Sequence, residues 1–162
     1  MQKYDFIYGI DVGSVNLDIM EFSKEDFIRI ENTDDGILDW ISGLPEEGRI
    51  FCVLEATGVY SRRIAYHLQK KGIGVAIVNP LQSSGFAQAQ GIISKDDRQA
   101  AKTLALMGYC LDLPIYKQPS EDMQKRKQII MAVNALKKQK QMLKNQLHSL
   151  DHQIVFSHAA VN

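Results

Sequence analysis

The 162-residue sequence holds two cysteines, four histidines, four prolines and one tryptophan, and its net charge is zero. Cys52 and Cys110 belong to no CxxC pair and have no histidine at ligand spacing, so both are expected to be buried, reduced thiols. His67, His148, His152 and His158 lie mainly toward the tail, which argues against a histidine metal cluster. His148 and His152 stand four apart on one helix face, but without a third ligand they read as a solvated pair. No apolar run is long enough to span a bilayer, and the polar start is not a secretory signal. The expected location is the cytoplasm.

The zero net charge conceals an asymmetry. Residues 1–60 carry 13 acids and 4 bases, whereas residues 61–162 carry 15 bases and 6 acids, so the second half is the candidate for anionic partners. The length suffices for one domain with a proper core and one appended element.

Residues 7–13, Ile-Tyr-Gly-Ile-Asp-Val-Gly, form an apolar run of β-forming residues broken by one carboxylate. Burying Asp11 is costly unless it is paired or bound to a cation, and the alternative is that it caps the following turn. Residues 49–55, Arg-Ile-Phe-Cys-Val-Leu-Glu, repeat the design and end on Glu55. Two buried-type strands that each deliver an acid suggest a shared metal site.

Residues 17–22 and 27–31 read as strands that follow the first through short links, giving an antiparallel meander. Thr33 or Asp34 then caps a helix ending near Gly43 and Pro45. A strand over 49–55, a helix over 61–71 capped by Ser61 and closed by Gly72, and a strand over 75–78 closed by Asn79-Pro80 form a parallel, right-handed unit. A helix over 95–107 follows. The sum is an α/β fold, a mixed five-stranded sheet flanked by helices. Residues 81–93, rich in Gln, Ser, Ala and Gly, fit either a weak helix or a loop.

In that sheet the first and fourth strands are neighbours, so Asp11 and Glu55 converge at one edge. The helix that begins with Asp96 and Asp97 can add a third carboxylate, although acids in a first turn also serve the helix dipole alone. Oxygen ligands without Cys or His suit Mg²⁺ or Mn²⁺. Composition and spacing carry the reading to an acidic phosphoryl-transfer site and no further.

Pro114 and Pro119 mark a linker over 114–119, and residues 120–156 contain neither Pro nor Gly. One long helix is expected there, capped by Ser120 with Glu121 and Asp122 in its first turn, followed by a tail over 157–162. Ile129, Val133, Leu136, Lys140, Leu143, Leu147, Leu150 and Ile154 keep four-three spacing, the period of a coiled coil; the alternative is a helix packed back on its own domain. Lys125, Arg126, Lys127, Lys137, Lys138 and Lys144 either face nucleic acid or form a solvated face.

Tyr8-Gly9-Ile10-Asp11-Val12-Gly13, Leu54-Glu55-Ala56-Thr57-Gly58-Val59-Tyr60, Val78-Asn79-Pro80 and Lys95-Asp96-Asp97-Arg98-Gln99-Ala100-Ala101 together resemble the N-terminal domain of the insertion-sequence 110, or DEDD, transposases, which are related to the Piv-type DNA invertases. The resemblance implies a ribonuclease-H-like, RuvC-like domain over 1–113 and a long coiled-coil helix. It also implies metal-dependent DNA cleavage and exchange, with DNA as partner, a structured guide RNA in some relatives, and dimerisation through the helix. By position, the family's first three acids fall on Asp11, Glu55 and Asp97, the expected catalytic residues and Mg²⁺ or Mn²⁺ ligands; the nucleic-acid contacts expected from the basic charges of the long helix are Lys125, Arg126, Lys127, Lys137 and Lys138. The fourth acid lies one helical turn beyond the third, where this sequence has Ala100. Asp96 replaces it only if the helix start is rotated. Because Lys95, Asp97, Arg98, Ala101, Leu104 and Ala105 are all kept, a single substitution fits better than general decay. Family members also continue into a C-terminal domain with a serine implicated in attack on DNA, so the chain is expected to be an isolated N-terminal domain. The expectation is a silenced catalytic domain; the competing readings are a non-catalytic binding and oligomerisation module and, more remotely, an actin-like phosphotransferase, which needs far more chain.

Overall fold

The structure is a computed structural model that describes residues 3–92, 96–119 and 121–159, the side chains at 121, 124 and 151–159 excepted. In chain order the elements are β1 (Phe6–Val12), β2 (Asn16–Glu21), β3 (Phe27–Glu31), α1 (Asp34–Ser42), β4 (Ile50–Glu55), α2 (Tyr60–Lys70), β5 (Gly74–Val78), α3 (Pro80–Ala89), α4 (Asp97–Cys110) and α5 (Glu121–Ala159). The strands form one sheet in the order β3-β2-β1-β4-β5. β1, β2 and β3 pair antiparallel, while β4 runs parallel to both β1 and β5. This is the ribonuclease-H-like mixed sheet that the motifs imply.

Both faces of the central strands are covered, which explains why β1 and β4 read as nearly unbroken apolar runs. On one face Tyr8, Ile10 and Val12 of β1, Leu17 and Ile19 of β2 and Cys52 and Leu54 of β4 pack with Ile37 and Ile41 of α1 and Ile64, Ala65 and Leu68 of α2. On the other, Phe51, Val53, Ala76 and Val78 meet Leu104 and Met107 of α4, and Met20 meets Ala101 and Ala105. Successive strand residues alternate between faces, so Asp11, Asp18 and Glu55 share the α4 face with these residues.

α4 crosses β1 at very short range. A Cβ on Gly9 would lie 2.0 Å from the Ala101 carbonyl oxygen and 2.2 Å from the Ala105 nitrogen. Farther along α4, a Cβ on Gly108 would lie 2.8 Å from Val53 Cγ2 and 2.9 Å from Ile7 Cγ2. The helix therefore starts at the carboxyl ends of the parallel strands, with Asp97 one turn before Ala101.

Several local expectations are corrected. α2 is capped at Val59 without a side-chain hydrogen bond; Ser61 lies inside the helix, buried, with Oγ 3.5 Å from the Gly58 carbonyl. Gly72 does close that helix, at a φ of +77° that suits a residue without Cβ. Cys52 is buried, as expected, and Cys110, the last residue of α4, is exposed. α4 begins at Asp97 rather than 95, because the Asp96 side chain accepts from the Gln99 amide and makes it the cap. Residues 80–89 are helical: Asn79 and Gln82 form a capping box, with Pro80 in the first turn. That start signal outweighs the weak apolar periodicity, since the one buried residue of α3 is the polar Ser83.

The chain divides between Lys117 and Gln118 into two units. In the second, α5 leaves Ile129, Val133, Leu136, Leu143, Leu147 and Leu150 exposed. Ser120, Lys95, Ile154, His152 and His158 lie outside the described residues or side chains. No helix among the described residues is long and apolar enough to cross a membrane.

Gly9→Ala should destabilise the domain by about 3 kcal/mol or more, because its clash is with backbone that no rotamer change can move. Gly85→Ala, in α3 with open space around its Cβ, should stabilise by about 0.5–1 kcal/mol. Urea unfolding of the two variants checks both signs.

Candidate acidic site at the carboxyl edge of the sheet

Asp11 sits one residue beyond the Ile10–Leu54 pairing of β1 with β4, which brings it beside Glu55 at the end of β4. On its other side the tight β1–β2 turn, closed by the Gly13 amide on the Asn16 carbonyl at 2.9 Å, places Asp18 directly opposite Asp11. Asn32 ties that turn to the end of β3, its Nδ2 donating to the Gly13 carbonyl at 2.8 Å. α4 supplies Asp97 from its first turn.

Four carboxylates thus surround one patch of sheet. Burial pushes the Asp11 carboxyl above its ordinary value, and the charges of Glu55, Asp18 and Asp97 push it further in the same direction. Asp11 is half-buried, and its ionised form is poorly compensated.

The neighbours differ in their partners. Asp18, with 9% of its side chain exposed, is gripped by Arg29, which pairs opposite it on β3: Nε to Oδ1 at 2.7 Å and Nη2 to Oδ2 at 3.1 Å. The same Nη2 reaches Asp97 Oδ2 at 2.6 Å. The two aspartates in turn hold the Arg29 guanidinium firmly protonated. Glu55 accepts a hydrogen bond from Ser83 Oγ of α3. Beyond it, Thr57 Oγ1 is buried and has no hydrogen-bond partner among the described residues.

The structure therefore brings Asp11, Glu55 and Asp97 to one edge, and adds Asp18, Arg29 and Ser83, which the sequence reading did not single out. Counting outward from the Gly13–Asn16 turn would have found Asp18 opposite Asp11. Ala100 lies on α4 and brings no oxygen. Asp96 is engaged as the helix cap. Lys125, Arg126, Lys127, Lys137 and Lys138 are exposed on α5, in the second unit. The donor chemistry suits a hard divalent cation, and the mutual repulsion felt at Asp11 is what such a cation relieves. Among the described residues, though, no three acidic, histidine or cysteine side chains converge on one ligating point, and Asp97 is paired with Arg29.

Fold and site define a ribonuclease-H-like domain with an acidic edge. The sequence profile of the IS110-type DEDD transposases, described as Transposase, matches residues 8–155, and the chain belongs to that family. Over 95 residues it is 35% identical to the pilin gene-inverting proteins of Moraxella lacunata and Moraxella bovis, a match covering 59% of this chain and 27% of each relative. The chain thus spans about a quarter of the length of these relatives. RuvC of T. thermophilus in complex with a Holliday junction substrate aligns over 62% of this chain and 90% of its own, at 12% identity and a TM-score of 0.45. A second Thermus thermophilus RuvC structure covers 71% of this chain and 84% of its own, at 16% identity and a TM-score of 0.39.

Because the folded carboxyl of Asp11 holds its proton more tightly than the unfolded one, its ionisation costs stability as pH rises past the ordinary value of 3.8. In metal-free buffer Asp11→Asn should raise the melting temperature at pH 7, and the gain should vanish at pH 3, where both states are protonated. Thermal unfolding across that range measures it.

Proposed function

We propose that this chain is the metal-dependent catalytic domain of a DNA transposase or recombinase, with Asp11, Glu55 and Asp97 as its metal ligands, and that Ala100 silences it. The observation that carries the reading is the convergence of acids on the α4 face, felt by Asp11 as a raised carboxyl, in a chain of the DEDD transposase family. Bound Mg²⁺ or Mn²⁺ would activate a water or hydroxyl and stabilise the leaving oxygen of a phosphodiester. The residues of the chain position that chemistry. Asp11 and Glu55 stand side by side on parallel strands, Ser83 orients the Glu55 carboxylate, and α4 brings Asp97 over the strand ends. Ala100, one turn past Asp97, leaves an oxygen position empty.

The partner is DNA, with a structured guide RNA as a further partner of the kind some relatives use. The exposed Lys125, Arg126, Lys127, Lys137 and Lys138 serve phosphate contacts, and the exposed Ile129, Val133, Leu136, Leu143, Leu147 and Leu150 serve a coiled-coil dimer. The second reading, a non-catalytic binding and dimerisation module, is favoured by one observation: Asp97 is already committed to Arg29.

With Mn²⁺ and branched or single-stranded DNA, the chain itself should not cleave, whereas Ala100→Asp should raise cleavage by about a hundredfold or more, and adding Asp11→Ala should abolish the gain. A folded Ala100→Asp variant that gains nothing moves the binding-module reading ahead. Leu143→Lys combined with Leu147→Lys should shift the chain from dimer to monomer in sedimentation equilibrium; an unchanged mass would reject the coiled coil.

A further inference from the structure

Among the described residues, Arg29 is the cation whose ion pairs reach into the acidic edge. Its side chain is 49% exposed, yet two of its nitrogens are engaged by acids, both on the buried Asp18 and one of the two shared with Asp97. The row Asp11, Asp18, Arg29 runs straight across β1, β2 and β3 by strand register, so the guanidinium is fixed by the sheet itself rather than by a loop. Asp97 differs from Asp18: it sits on the first turn of α4, its side chain is 63% exposed, and Arg29 reaches it through one nitrogen and not two.

A carboxylate held at 2.6 Å by a guanidinium has one oxygen committed and its charge largely balanced. A divalent ion shared with Asp11 and Glu55 must therefore compete for Asp97. We propose that Arg29 is a positioning residue that sets metal affinity: anchored by Asp18, it holds Asp97 away from Asp11 and Glu55, and a divalent cation binds the edge only as Arg29 gives up Asp97. This rests on the proposed role of Asp97 as a metal ligand. It assigns Asp18, which lies outside the family's four acids, the task of anchoring the guanidinium. Lysine would not replace Arg29, because an ammonium cannot grip Asp18 with two nitrogens and still reach Asp97.

The test is calorimetric titration with Mn²⁺ alone on the chain, Arg29→Gln, Arg29→Lys, Arg29→Gln combined with Asp97→Asn, and Ala100→Asp. Arg29→Gln should bind Mn²⁺ about tenfold more tightly than the unaltered chain, Arg29→Lys should fall between them, and Asp97→Asn should erase the gain. Melting curves give an independent readout: without metal, Arg29→Gln should melt lower, because Asp18 is left buried without its partner, and Mn²⁺ should raise its melting temperature more than that of the unaltered chain. A merely structural arginine predicts the opposite, weaker binding on removal. If Arg29→Gln fails to fold, Arg29→Lys carries the comparison, and affinity equal to or weaker than that of the unaltered chain overturns the proposal. If Ala100→Asp binds Mn²⁺ while the Arg29 variants show no gain, the competition is wrong and the metal site stands. If Ala100→Asp and every Arg29 variant alike bind no Mn²⁺, both the inference and the proposed metal site fall together.

Discussion

The approach of α4 to β1 at Gly9 is the constraint on which the acidic edge depends. The Ala101 carbonyl and the Ala105 amide of the helix occupy the space where a side chain at position 9 would be. Such backbone-to-backbone proximity sets the height of the helix above the sheet and thereby the distance at which its first turn meets the strand ends. Asp97 can join acids on β1 and β4 only because two glycines, Gly9 and Gly108, let the helix lie flat along its length.

Bringing like charges together in a half-buried place has a cost, and the structure distributes it unevenly. Asp18 is almost fully buried but is matched by a bidentate guanidinium, the form of compensation best suited to a desolvated carboxylate. Glu55 receives one hydroxyl. Asp11 has the central position and feels all three neighbours. Contrast Glu21, equally buried at 5% exposure, whose carboxylate accepts from Ser23 N, Ser23 Oγ and Lys24 N and simply caps the turn into β3. Two buried acids on the same strand thus do different work, and the difference lies in whether backbone donors or other charges surround them.

Much of the edge was legible before any coordinates. Apolar runs ending on Asp11 and Glu55 mark buried strands, and the short links 13–15 and 22–26 against the crossover length after β4 fix the change from antiparallel to parallel pairing. Other features escaped for identifiable reasons. Asp18 looks like an ordinary polar break in Leu-Asp-Ile-Met, and only its register opposite Asp11 reveals it. Arg29 sits in a strand of mixed exposure, where a lone arginine has no local signature. Residues 81–89 lack an apolar stripe, and their helix is specified by its cap at Asn79 rather than by its face.

Sequence alone therefore determined the sheet, the face alternation and which acids end the strands, because those follow from hydrophobic period, turn length and the right-handedness of parallel crossovers, all of them local rules. The tertiary structure decided which charges meet. The pairing of Asp18 with Arg29, and of Arg29 with Asp97 across 68 residues, arises from strand register and helix height together. Neither is encoded within the reach of a single segment, since a charge's partner is set by where the backbone carries it and not by its neighbours in the chain.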